Sequence, residues 1–149
     1  MRSTPSVTLR RRRLSDETFI AELGREAFGE YSAAASSHTT QMAAVAFTLI
    51  AERDDVSVGL LIVDVRGTRA HLAAIAVRTE WRGVGIGQAL LRAGETAARD
   101  LGATEMDLAT ADSNLAASEL FLRNGYLRRR VRTRYYGRGQ HAVEMYKAL

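Results

Sequence analysis

Between Leu72 and Leu101 the chain passes from an uncharged apolar run, Leu72 to Val77, through a polar connection, Arg78 to Trp81, into Arg82-Gly83-Val84-Gly85-Ile86-Gly87 and then a helical pattern. A strand that enters a helix through a glycine turn is a device for holding a phosphate. Glycine lets the backbone approach the anion, and the first N–H groups of the helix have no partner within it. The helix dipole adds partial positive charge at the same point.

The helix is marked by an apolar stripe at Ile86, Leu90, Ala93, Ala97 and Leu101, with Gly102 placed for a left-handed C-terminal cap. Gly94 inside it is a local cost and marks close packing. Two phosphate motifs fail here. A P-loop needs Gly-Lys-Ser/Thr, and Gly87 is followed by Gln88; a dinucleotide fingerprint needs a third glycine where Leu90 stands. A tight turn with no ligand stays open as the plain alternative.

Val77 to Gly87 resembles the acyl-CoA-binding segment of the GNAT superfamily of N-acetyltransferases. The family pattern Arg/Gln-x-x-Gly-x-Gly/Ala after a strand is met by Arg82, Gly85 and Gly87. A second segment, Asn114 to Tyr126, is similar to that family's block of asparagine, helix and Tyr-x-x-x-Gly-Phe. The two motifs occur in family order and cover roughly half the chain.

The element pattern is strand, helices, strands, helix, strand, helix, strands, which is an α/β or α+β single-sheet fold. Strands are expected over 7–14, 47–51, 56–65, 69–77, 104–109, 126–135 and 140–148. The first helix starts near Ser15 and ends at Gly29, and Asn114 to Asn124 forms another. The resemblance implies a single GNAT-like domain over residues 1–149. Its mixed six- or seven-stranded sheet would be splayed between strands four and five and flanked by about four helices. Acetyl-CoA would be the acyl donor. Its pantetheine would lie in the gap against the backbone of Ile75, Ala76 and Val77. Its pyrophosphate would rest on the N–H groups of Arg82, Gly83, Val84, Gly85, Ile86, Gly87 and Gln88. Asn114 and Phe121 belong to the same implied cofactor set, and Trp81 anchors the loop.

Amine acetylation asks for a base at the amine, stabilisation of the thioester oxygen and an acid for the leaving thiolate. Many relatives carry the acid as a tyrosine four residues before the second-motif glycine, where this chain has Phe121. The ending Arg134-Tyr135-Tyr136-Gly137 with His141-Ala142-x-x-Met145 resembles the ribosomal-protein-alanine N-acetyltransferase group, with His141 in place of aspartate. That group's base is a glutamate five residues before the asparagine, where this chain has Ala109. Both usual proton-transfer residues are therefore missing.

Alternation on strand five places Glu105, Asp107 and Ala109 on one face, so Asp107 is one candidate for the lost role. His71, on strand four, is a second, since imidazole exchanges protons near neutrality. Tyr135 is a third. Tyr136 and Tyr31 fall in segments that face the acceptor in relatives. Each has a plain alternative as a strand-end acid, a surface histidine or a packing aromatic. The function expected is direct acetyl transfer to a primary amine, either a protein N-terminus or a small amine. The rival is a non-catalytic acyl-CoA-binding or protein-interaction module.

Charge is uneven. Residues 1–14 carry five arginines and no acid, residues 15–119 have a net charge of −8, and residues 120–149 a net charge of +7. On the 126–135 strand, alternation places Arg128, Arg130, Arg132 and Arg134 on one face. They suit an acidic partner or protection of a sheet edge. Stacking aromatics are not interleaved, so a dedicated nucleic-acid module is not expected. With no cysteine and three scattered histidines, neither an acyl-enzyme nor a metal site is expected. No run reaches membrane-spanning length and no signal-peptide core is present, so a cytoplasmic protein without a membrane partner is the default. A homodimer is left open.

Overall fold

The computed structural model describes residues 6–30 and 33–149. Seven strands form one sheet: β1 (Thr8–Arg11), β2 (Phe47–Arg53), β3 (Val56–Arg66), β4 (Arg69–Val77), β5 (Glu105–Ala111), β6 (Leu127–Arg132) and β7 (Ala142–Ala148). Their spatial order is β1-β2-β3-β4-β5-β7-β6. Every neighbouring pair is antiparallel except β4 and β5, which run parallel. The helices are α1 (Glu17–Phe28), α2 (Ala33–Val45), α3 (Ile86–Asp100) and α4 (Leu115–Arg123).

Each face of the sheet has its own core. Leu61, Val63, Leu72 and Met106 pack with Leu90 and Leu91 of α3 and Phe121 of α4. Ile50, Leu60, Ile62, Ala74 and Ala76 pack with Ile20 and Leu23 of α1 and Ala43 of α2. β4 changes faces midway. Ile62 pairs with Ala74 but Val63 pairs with Leu72, so Ala73 is an extra, bulged residue. Leu72 thus enters one core and Ala74 the other, although two residues apart on a regular strand share a face.

The expected α/β (α+β) sheet with its opening between strands four and five is present. β4 and β5 pair only at Arg69 with Glu105, Ala70 with Met106 and His71 with Asp107. Beyond His71 the strands diverge. Asp54 and Asp55, with φ of 49° and 64°, make the two-residue hairpin between β2 and β3.

Several boundaries differ from the sequence expectation. β1 ends at Arg11, and the chain then turns through a short 3-10 segment, Leu14–Asp16. Ser15 does not cap α1. Asp16 does more there: its carboxylate accepts from the Arg13 N–H at 2.6 Å and from Arg10 at 2.7 and 2.8 Å. Residues 33–45 form one continuous helix. The sixth strand stops at Arg132, because Arg134 turns the chain with φ of 49°.

α3 is also rotated relative to its apolar stripe. Its buried residues are Ile86, Leu90, Leu91, Gly94, Glu95 and Ala98, and Leu101 is 58% exposed. The reason is Gly94. A Cβ built there would sit 2.8 Å from a Leu61 methyl, so the helix rests its glycine on β3. Gly94→Val is expected to destabilise the fold by about 1–3 kcal/mol through overpacking, read by urea denaturation.

Asp16 is buried beside the Arg10 guanidinium, which holds its carboxyl below the usual carboxylate range. A lowered folded-state pKa stabilises above the unfolded value, about 3.9, and that contribution disappears as pH falls through the folded value. Asp16→Asn is expected to cost about 3 kcal/mol near neutrality and progressively less below pH ~4, measured by denaturation at each pH.

Candidate functional site

The site is built where β4 and β5 part. From Ile75 to Val77, β4 pairs with β3 at Leu61, Leu60 and Gly59, while β5 no longer follows its other edge. Backbone polar groups need partners, so this free edge suits an extended ligand that can bond like a strand. After Val77 a 3-10 turn, Thr79–Trp81, leads to the glycines.

Gly83 and Gly85 have φ of 80° and 91°, in the left-handed region. A Cβ on either would meet nothing within 4 Å, so the backbone faces open space. The first α3 bond runs from the Ala89 N–H to the Gly85 carbonyl at 3.1 Å, and the N–H groups before it start the helix without intrahelical acceptors. Val84 is exposed, and a Cβ built on Gly87 would lie 3.5 Å from Leu120 of α4. Gln88 lies in the first turn of α3.

The loop is tied down on both sides. Arg82 Nε donates to the Val77 carbonyl at 3.0 Å, holding its guanidinium at the end of β4. Glu26 of α1 accepts from the Thr79 N–H at 3.1 Å and its hydroxyl at 2.8 Å, and these bonds lower the Glu26 pKa. Trp81 packs on the core beneath the loop, with Arg53 4.6 Å from its ring centroid. Asn114 caps α4, accepting from the Ala117 N–H at 3.2 Å. Phe121 is buried edge-on against Tyr126 with centroids 5.7 Å apart, so its ring serves the core.

At the apex of the fork the structure joins two residues that the sequence singled out separately. His71 Nδ1 lies 2.5 Å from Asp107 Oδ1. They are the last pair in register before the strands diverge. With Nδ1–H donated to the carboxylate, the neutral ring keeps Nε2 as its proton acceptor. The pair opens onto a recess of about 370 Å³, lined also by Asp64, Arg66, Arg69 and Ala70.

The other candidates fall elsewhere on this face. Ala109 is exposed and stands directly opposite Glu144 of β7. Tyr135 and Tyr136 pack edge to face, centroids 5.2 Å apart, in the turn between β6 and β7 rather than on a strand. The Tyr136 N–H bonds the Gln140 carbonyl, and the Gln140 amide reaches the Glu30 carbonyl at 3.4 Å. That turn is therefore pinned to Glu30, just past α1. Tyr31 lies outside the described residues. His141 Nδ1 accepts the Arg134 N–H at 2.8 Å.

The expected row of four arginines is broken. Arg128 pairs with Met145 and Arg130 with Glu144, so Arg129 is bulged. The bulge turns Arg129, Arg130 and Arg132 toward the face of Asp107, with Arg128 on the other side and Arg134 past the strand end. Alternation alone carried no sign of it. A further group was missed: Glu95 of α3, 4% exposed, accepts from the Tyr126 hydroxyl at 2.8 Å and from Lys147 Nζ at 3.0 Å. Burial beside Glu95 pushes the Tyr126 phenol well above its ordinary range. Only its mid-helix place among apolar neighbours hinted at that burial.

A model of the Acetyltransferase (GNAT) family matches residues 12–126, and the chain belongs to that family. An uncharacterized N-acetyltransferase of Methanocaldococcus jannaschii is 32% identical over 99 residues, 66% of this chain and 64% of that protein. N-alpha-acetyltransferase 30 of Schizosaccharomyces pombe is 36% identical over 101 residues, 64% of this chain and 67% of that protein. The chain thus matches about two thirds of the length of these curated relatives. Ard1 from Thermoplasma volcanium shares the fold, with a TM-score of 0.84 at 19% identity over 96% of this chain and 97% of that one. Among the described residues no helix is long and apolar enough to cross a membrane.

The free β4 edge, open glycine backbone and helix terminus fit a CoA-type ligand. Gly85→Val would place a β-branched residue at φ 91° and fill the open space. Calorimetric titration with acetyl-CoA is expected to show affinity at least about tenfold weaker, since such a conformation costs about 1–3 kcal/mol.

Proposed function

We propose that this chain is an N-acetyltransferase that moves the acetyl group of acetyl-CoA directly to a primary amine, foremost the N-terminus of a polypeptide. The donor supplies a thioester. The glycine turn and the start of α3 hold its phosphates, and the free edge of β4 orients its arm. His71 takes the proton that the amine nitrogen loses as the C–N bond forms and the C–S bond breaks. Asp107 fixes the ring tautomer and steadies the imidazolium. The departing sulfur takes up one proton, so the exchange needs no other co-reactant.

The observation that carries this reading is the His71–Asp107 pair at the fork's apex, 2.5 Å apart. It supplies a base although position 109 is alanine and position 121 phenylalanine. The α-amine as acceptor is supported by the name of the Schizosaccharomyces pombe relative. Acetyl transfer to a panel of amine-terminated peptides is expected, with amide formation at the α-nitrogen seen by mass spectrometry. His71→Ala is expected to lower kcat about 100-fold or more, the range for loss of a positioned base, while acetyl-CoA affinity is kept. Asp107→Asn is expected to lower kcat by a smaller factor and to alter the pH–rate profile. Full activity in His71→Ala would overturn the assignment.

A further inference from the structure

The acceptor face carries a charge pattern that the transfer reaction does not use. From Leu120 to Val143 there are seven arginines and no acid. The bulge at Arg129 brings Arg129, Arg130 and Arg132 onto the face that bears Asp107 and Glu144. Each is held in place. Arg129 donates to Glu105 at 3.1 Å and lies 4.2 Å from the Tyr146 ring centroid. Arg130 and Arg132 bond opposite oxygens of the same carboxylate, Glu144, through their Nε atoms. One carboxylate thus positions two guanidiniums whose side chains stay 59% and 47% exposed. Arg129, Arg130 and Arg132 are balanced by Glu105, Asp107 and Glu144, and Arg134 and Arg138, both exposed, add the excess positive charge in the adjoining turn. Edge protection explains charge on β6, but it requires neither the sharing of one carboxylate nor the bulge that aims three arginines at one face.

We propose that Arg130 and Arg132, positioned by Glu144, select acceptor polypeptides that carry side-chain carboxylates just after the reactive amine. Guanidinium forks with free N–H groups match carboxylates in shape and charge. The spacing fits. An amine beside Asp107 lies two strand intervals from β6, about 10 Å at ~4.8 Å each, and Arg130 and Arg132 stand in register two and four residues further along, so their backbones are roughly 12 and 17 Å away. An extended peptide advances about 3.3 Å per residue, so the fourth residue lies about 10 Å from the amine and the long arginine and acidic side chains span the remaining distance. This inference rests on the acetyltransferase reading in taking this face as the acceptor side.

The test compares peptides of one length with Asp-Glu or with Ser-Gln at positions two to four. The unmodified protein is expected to favour the acidic peptide in kcat/KM by about tenfold at low salt, carried by KM and shrinking as salt rises. In Arg130→Ala/Arg132→Ala that preference is expected to collapse, in Glu144→Gln to weaken, and in Arg128→Ala, on the opposite face, to persist. Fluorescence anisotropy of both labelled peptides, without acetyl-CoA, reads the same preference even if no peptide is acetylated. Failure of the transfer reading therefore leaves this inference measurable. Equal binding of the two peptides, or equal loss in Arg128→Ala, would overturn it. So would loss of RNA binding in the double variant without any change in peptide preference, which would assign the surface to RNA.

Discussion

A parallel strand pair that comes apart after three residue pairs is the constraint on which the rest depends. Backbone N–H and C=O groups inside a sheet are satisfied by the neighbouring strand, and parting the strands leaves one edge of β4 without that neighbour. The cost is tolerable because each half of the sheet is fully paired on its other side and packed against helices. β3, α1 and α3 hold β4, while β7 holds β5. The bulge at Ala73 belongs to the same solution, since it bends β4 where it leaves β5 and exchanges which core its residues enter. A ligand with amide groups along its length would complete the hydrogen bonding that the chain itself leaves open.

The chemistry follows from the same geometry. Where the strands last touch, facing side chains are a strand interval apart, close enough for His71 and Asp107 to bond. One residue pair further along the gap is already open. The imidazole of His71 therefore stands at the last place where two strands can position it jointly, which orients it more firmly than one strand could. In the proposed function, proton transfer and donor binding would share the fork without sharing residues.

Much of this was legible in the sequence, for identifiable reasons. Strand four was read with its observed limits because Leu72 to Val77 is uncharged and bounded by Gly67 and Gly83. The glycine turn was legible because glycine is the residue that adopts its positive φ without strain. The site was readable only in parts: His71 and Asp107 stood out by type, but their contact depends on the β4–β5 register, which no local pattern encodes. The arginine row failed for a related reason, since alternation assumes an unbroken strand and a one-residue bulge reverses every assignment beyond it. The face of α3 was misplaced because hydropathy gives glycine little weight, whereas packing gives the absent side chain of Gly94 a great deal.

α3 lies across the two halves of the sheet. Its glycine rests on Leu61 of β3, and its Glu95 grips Tyr126, just before β6, and Lys147 of β7. The halves share only three residue pairs of strand contact, so this helix acts as a cross-brace that sets how wide the fork stands. The brace and the open N-terminal end of α3 belong to one rigid rod. A force that spreads the two half-sheets would therefore be felt at the phosphate end, and a ligand seated there would in turn stiffen the opening against changes in its angle.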